Sequence, residues 1–245
     1  MDLQNVWTVA SKDLDIFVKK KSILYSTILF PLIAAIALPI VIEFVGQSVG
    51  GIPPDVLPGV INSFLFFFII GAASLPVGIA AYSLVGEKVE KSLEPLLATP
   101  LTDGEILLGK SLAAFLPPLL ATYVGATIFT VFINALTSNR LGYLYFPNIS
   151  MAVILFVLVP LVCLLSVETI ILVSAKANDV RAAQQFGGIL VFPFVAIYVA
   201  GEIGMLSLNT TNLLLISATI LVIDLLLFFT SRGTFKREEI LTKWK

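Results

Sequence analysis

Apolar residues fall along this chain in long runs divided by short polar stretches. Runs near Ser22–Val45, Leu57–Val85, Ser111–Leu136, Ile149–Ser174, Phe186–Leu206 and Leu213–Ser231 each reach the ~20 residues a helix needs to cross a bilayer core of about 30 Å. The pattern predicts an all-α membrane protein with six transmembrane helices. Ahead of the first run, Leu3, Val6, Trp7, Ala10, Leu14, Phe17 and Val18 recur at helical spacing, with Gln4, Thr8, Ser11, Lys12 and Asp15 elsewhere. That spacing predicts an amphipathic helix within residues 1–21, lying in the membrane interface with Trp7 and Phe17 in the headgroup layer.

Charge placement adds an orientation. Lys12, Lys19, Lys20 and Lys21 precede the first run, and Lys88, Lys91 and Lys110 follow the second. Lys176 and Arg181 follow the fourth, and Arg232, Lys236, Arg237, Lys243 and Lys245 follow the sixth. Of the 15 basic residues, Arg140 alone falls on the other side of a six-span layout. The positive-inside rule then predicts both termini and both of those connections in the cytoplasm, an N-in/C-in topology.

Composition agrees with a membrane bundle. Hydrophobic residues make up 58% and charged residues 13%, against the roughly 25% charged residues of soluble domains. With no histidine, imidazole metal sites, Ser-His or Cys-His nucleophile pairs and a histidine proton switch are excluded. Cys163 lies in an apolar run and reads as a small packing residue. Residues 1–20 lack the apolar core of a cleavable signal peptide. The stretches 46–56, 137–148 and 207–212 on the outer side are too short for a folded domain. The whole chain, 1–245, is expected to be one transmembrane domain without an ATPase domain.

The most distinctive stretch is the polar island Glu87–Lys110, EKVEKSLEPLLATPLTDGEILLGK, between the second and third runs. Leu93, Leu96 and Leu97 form a narrow apolar stripe on a charged rod carrying Glu87, Lys88, Glu90, Lys91 and Glu94. Pro100 breaks the rod, and Thr102 or Asp103 can cap a second, short helix leading into the third span. A short amphipathic helix held at a membrane surface suits docking into a partner's groove.

The island resembles the segment between the second and third spans of ABC-2-type transporter permeases. The resemblance rests on Leu93, Glu94, Leu96, Leu97, Thr99, Pro100, Thr102, Glu105, Ile106, Leu107, Gly109 and Lys110. It implies docking to a separate ATPase subunit through Glu87, Glu90, Lys91, Leu93, Glu94, Leu96, Leu97, Thr99 and Pro100, with residues 87–110 as the coupling segment. It also implies that two ATPase subunits carry ATP and magnesium and that a second permease subunit, identical or related, completes the path. The helix within residues 1–21 would match the family's connecting helix. The connection Ser174–Gln185, with Lys176, Asp179 and Arg181, resembles the family's second cytoplasmic loop.

Gly104-Glu-Ile-Leu-Leu-Gly109-Lys110-Ser111 also fits the P-loop pattern letter for letter, and Ile220–Asp224 resembles a Walker B strand. A P-loop needs a preceding buried strand and a glycine-rich turn. Thr99–Asp103 is no such strand, Glu105–Leu108 reads as helix, and Asp224 lies inside an apolar run. No nucleotide, metal, catalytic residue or nucleic-acid partner is expected of this chain.

Several residues inside the runs invite further readings. Pro31, Pro39, Pro76, Pro117, Pro118, Pro160 and Pro193 would each cost about 3 kcal/mol in a water-exposed helix, yet membrane bundles tolerate them as kinks. Gly71, Ser74, Gly78 and Ala81 form a stripe of small residues suited to a neighbouring helix, within the chain or in a dimer. Glu168 and Asp224 lie at similar depth inside spans, either bonded to neighbours such as Ser166 and Thr169 or facing an ion or substrate path. Glu43 and Glu202 read as wet rim residues. Asn148-Ile-Ser150 and Asn209-Thr-Thr211 match the glycosylation pattern.

Together these readings predict the multi-pass permease subunit of an ATP-driven exporter in the cell membrane. The competing reading is a proton- or cation-coupled transporter or channel using Glu168 and Asp224. Vesicles holding the chain alone separate the two: transport driven by an ion gradient and lost in Glu168→Gln or Asp224→Asn favours the second.

Overall fold

Capping groups, rather than hydropathy, set where several helices of this protein start or stop. A computed structural model describes residues 2–48, 52–53, 55–89, 99–177 and 179–234. Among them, six helices are long and apolar enough to cross a membrane: Lys21–Phe44, Leu57–Ala81, Asp103–Leu141, Ile149–Ser174, Val180–Glu202 and Thr210–Thr230. These are spans one to six, and they bear out the six apolar runs.

Span three departs furthest from its run. It covers 39 residues, about 58 Å at 1.5 Å per residue, and so overshoots a bilayer core at both ends. Thr102 caps its start: the Thr102 hydroxyl accepts from the Glu105 amide (3.3 Å) while the Glu105 carboxylate accepts from the Thr102 amide (2.9 Å). This reciprocal box satisfies donors that an uncapped helix leaves bare. The helix that Thr102 caps is not short: it is one with the span and runs unbroken to Leu141. Gly142, at φ 74°, ends it, its amide bonding to the Ser138 carbonyl oxygen (2.8 Å). Asn148 and Asn209 take capping roles too, accepting from the Met151 (2.8 Å) and Asn212 (2.9 Å) amides.

Spans two, three and four form the centre. Span one lies along span three, span six along span four, and span five against span two. A continuous core runs through Leu65, Phe68, Ala72, Phe129, Leu158 and Val162. Cys163 is buried there as a packing residue, its thiol directed at the Phe115 carbonyl oxygen (3.7 Å). Outward faces of spans one, five and six expose Ile33, Ile40, Phe192, Leu215 and Phe229, the pattern of helices that meet lipid rather than water.

Small residues let the spans close on one another within the chain. A Cβ on Gly71 would meet the Phe30 ring of span one at 2.8 Å, so the small-residue stripe is used internally at that point. A Cβ on Gly125 would lie 2.7 and 2.8 Å from the Pro31 Cβ and carbonyl oxygen. Pro31 thus sits in a helix whose neighbour makes room for its ring. Ahead of Pro160, a π-turn over Ile154–Leu158 carries the Val159 amide to the Ile154 carbonyl oxygen, a widened turn next to a residue with no amide to give. At the rim opposite the N-terminal helix, Arg140 Nη2 bonds Glu43 Oε1 at 2.8 Å. Glu43 is therefore an ion-pair partner of Arg140, not merely a wet rim residue; Glu202 is exposed.

The backbone collision at Gly125 gives a direct test. Gly125→Ala is expected to destabilise the detergent-solubilised protein by about 1–3 kcal/mol, the range for overpacking. Gly104→Ala, where a Cβ meets nothing within 4 Å, serves as the neutral control in the same thermal-unfolding assay.

Candidate functional site

The residues of Leu3–Lys19 do form a helix, but its apolar stripe is spent on protein rather than on the headgroup layer. Val6, Val9, Ala10, Asp13 and Phe17 are buried, packed on the first turns of span three. Phe17 is therefore not an interfacial anchor, whereas Trp7, with Leu3 and Val18, does stay exposed. Close approach is possible because of Gly109: a Cβ there would lie 2.7 Å from Val9 Cβ and 2.8 Å from the Val6 carbonyl oxygen. The helix start is tied down as well. Asp2 accepts from the Gln4 amide (3.0 Å), and its own amide donates to Glu105 Oε1 (2.7 Å). The helix ends at Lys20, where the chain turns within one residue into span one, and the Lys20 ammonium sits 3.4 Å from the centre of the Tyr82 ring.

Asp13 falls on the buried stripe, and this creates the site. Its Oδ2 accepts from Lys110 Nζ (3.1 Å) and from the Ser83 hydroxyl (2.5 Å). Lys110, only 1% exposed, also donates to Glu87 Oε2 (2.6 Å) and to the Ser83 carbonyl oxygen (2.8 Å). Lys12 approaches from the rim and donates to Glu87 Oε1 (2.6 Å). Two acids and two bases thus share one cluster, with no net charge left to be buried.

The members come from three separate parts of the chain. Asp13 and Lys12 come from the N-terminal helix, Ser83 and Glu87 from the end of span two, and Lys110 from the second turn of span three. A π-turn over Tyr82–Gly86 widens the end of span two, and Ser83, whose carbonyl and hydroxyl both enter the cluster, lies within it. The apolar jacket is Phe17, Val77, Val85, Ile106, Leu107 and Ala114.

Glu105 is a further buried acid at this end, in the first turn of span three and ahead of its apolar run. The Asp2 amide, then the Thr102 amide and hydroxyl, hold its carboxyl down to about 2.

The predicted docking residues divide. Glu87 does not face outward: it is 6% exposed and committed to Lys110 and Lys12, because the π-turn brings it to the buried ammonium. Thr99 is half-buried and Pro100 exposed. Glu90, Lys91, Leu93, Glu94, Leu96 and Leu97 lie outside the described residues, as does the side chain of Lys176. In the second connection Asp179 and Arg181 are exposed just before span five. Neither Glu168 nor Asp224 belongs to the cluster; both are buried in spans four and six. Ser166, considered as a partner for Glu168, instead donates to the Ala73 carbonyl oxygen (2.8 Å).

Asp13 and Ser83 were not singled out in the sequence. Asp13 did leave a signal, since it interrupts the stripe Val6, Ala10, Asp13, Phe17 at the buried spacing. Lys110 entered the sequence reading as a topology charge and as a letter of the family resemblance, not as a buried cation. The P-loop lettering also has a structural account: Gly109 admits the N-terminal helix and Lys110 closes the ion cluster, both inside a continuous helix.

A family model described as ABC-2 family transporter protein matches residues 7–231. No curated protein matches the chain.

Removing Lys110 would take the buried cation from Asp13 and Glu87, and breaking a buried ion pair from one side costs about 3–5 kcal/mol. Lys110→Met is expected to lower thermal stability by that order, and the triple change Asp13→Asn, Glu87→Gln, Lys110→Met to recover most of it. Acid should act separately through Glu105. Its bonds stabilise the fold at neutral pH and above its ordinary value of 4.5, and that contribution fades as pH falls from 4.5 toward about 2. In Glu105→Gln this acid-side loss should shrink, as read from melting curves between pH 7 and pH 3.

Proposed function

Because the chain belongs to the ABC-2 family of transporter proteins, we propose that it is the permease subunit of an ATP-driven exporter in the cell membrane, coupled to separate ATPase subunits through the segment beginning at Glu87. One observation carries this reading: Glu87 and Lys110, which bracket that segment, are clamped to each other and to Asp13 at 2.6 and 3.1 Å. A load applied between them is passed to the end of span two, the start of span three and the N-terminal helix at once. A connection that only joined two spans would need no such clamp.

In this scheme two ATPase subunits, each binding ATP and magnesium, dock against Glu90, Lys91, Leu93, Glu94, Leu96 and Leu97. Thr99 and Pro100 lie at the edge of the contact, and Asp179 and Arg181 supply a second one. A second permease subunit, identical or related, faces this chain across the path. ATP-driven closure of the ATPase pair shifts the docked segment, and the clamp turns that shift into tilting of spans two and three. Lys12 and Glu87 join the cluster on its surface side, at 2.6 Å. The basic residues support a cytoplasmic setting for this end of the bundle.

Leu97→Asp places a charge on the apolar stripe of the docking segment. It is expected to abolish substrate export from proteoliposomes while leaving ATP hydrolysis by the partner and the melting temperature of the permease unchanged. Export at the unaltered rate would overturn the docking assignment.

A further inference from the structure

The N-terminal helix has a second apolar face. At about 100° per residue, Leu3, Trp7, Leu14 and Val18 fall within about 60° of one another. They stand beside the stripe of Val6, Val9, Ala10, Asp13 and Phe17 that is buried. Leu3, Trp7 and Val18 are 78%, 55% and 58% exposed, and Leu14 is half-buried. Gln4, Thr8, Lys12, Asp15 and Lys19 occupy the remaining side, exposed. A protein face, a free apolar face and a wet face thus follow one another around a single helix. Such a helix lies in the plane of a membrane surface, its free apolar face at the boundary of headgroups and acyl chains.

The hinge into span one adds charge. Lys19, Lys20 and Lys21 are consecutive, and Lys19 and Lys21 are exposed. Lys20 is half-buried, with its ammonium over the Tyr82 ring. Asp15, one turn before Lys19, offsets one of the three charges. Beside Lys20 a narrow cleft opens between the helix, the start of span one and the end of span two, walled by Ile16, Phe17, Ile23, Ile79 and Tyr82. Asp13 and Glu87 also border it, but both are held by lysines of the ion cluster. Past the hinge, span one exposes Tyr25, Ile28 and Leu29, so exposed apolar surface flanks the lysines on both sides along the chain. Clustered lysines between apolar surfaces match a molecule with an anionic head and hydrocarbon chains.

We propose that this hinge is a binding site for an anionic phospholipid. Its phosphate meets Lys19 and Lys21, with Lys20 between them, and an acyl chain lies along Ile16 and Ile23. The Leu3–Val18 face rests among the neighbouring lipids. No bond is made or broken. Because Asp13 and Phe17 belong to the same helix, a lipid held here also steadies the element that completes the ion cluster. The site belongs to the membrane part of the protein and does not depend on ATPase docking.

Brominated acyl chains quench tryptophan on contact, and the chain can carry a single reporter at either end of the helix. Trp244→Phe leaves Trp7; Trp7→Phe and Trp244→Phe with Val18→Trp put the reporter beside the hinge. Full-length protein is placed, without ATPase, in nanodiscs of equal phosphatidylcholine and phosphatidylglycerol, with bromine on one lipid or the other. At position 18, quenching should report a local excess of phosphatidylglycerol of about 5-fold or more, the order that a lysine at an anionic surface supplies. At Trp7, about 18 Å along the helix from Lys19, both lipids should quench alike. Lys19→Gln with Lys21→Gln should bring the excess at position 18 down toward one. The same loss of charge in the tail, Lys243→Gln with Lys245→Gln, should leave it intact. Melting curves confirm that each variant is folded. Equal quenching by both lipids at position 18, or the same loss from the tail variant, would mean a diffuse attraction and overturn the site. A Trp7 that neither lipid quenches would overturn the placement of the helix face in lipid. No nucleotide is present, so failure here leaves the coupling reading untouched, and failure of the Leu97→Asp test leaves this site untouched.

Discussion

Burial of the Lys110 ammonium is the constraint from which the architecture of this end of the protein follows. A lysine at 1% exposure must find both charge and acceptors, and no single helix can offer them. Span two supplies Glu87 and Ser83, and it does so through a π-turn. The N-terminal helix supplies Asp13, and it lies close enough only because Gly109 has no side chain. Replacing the cluster by apolar residues would give a comparably stable bundle. What ions add is register: an ammonium shared among fixed oxygens accepts one relative placement of three helices, where apolar surfaces accept several.

That distinction bears on transport. A permease driven from outside its membrane part must move helices without letting them slip. The cluster fixes spans two and three where they leave the membrane, while Gly71, Gly125 and the prolines shape the interior where they bend. The buried acids of spans four and six lie outside the clamp.

The fold was legible in the sequence because lipid demands long apolar runs, and six of them survive any uncertainty at their ends. Ends were the weak point. Span three gained two turns at its start because Thr102 and Glu105 cap it, and more at its finish because Gly142 does, and neither capping group is apolar. The amphipathic helix was legible too, though not what it packs on: a stripe of Val, Ala and Phe reads alike whether it meets lipid or protein. Glu87 read as an exposed docking charge because a charged residue in a polar stretch gives no sign of facing inward. Only Asp13, an acid at a buried helical position, pointed to the cluster. Gly109 and Lys110 carried the family resemblance before their physical roles were visible.

The cluster also imposes an order of assembly. Asp13 precedes Lys110 by 97 positions and Glu87 precedes it by 23. During synthesis, therefore, both acids reach the membrane surface before the buried lysine that joins them exists. Until span three inserts, they remain wet, and the N-terminal helix has neither Gly109 to rest on nor Glu105 to hold its first amide. The first two spans cannot reach their final arrangement by themselves. Arrival of Lys110 is the event that converts two inserted helices and a loose amphipathic segment into a fixed unit, so a chain truncated before that residue should be handled by the cell as unfinished.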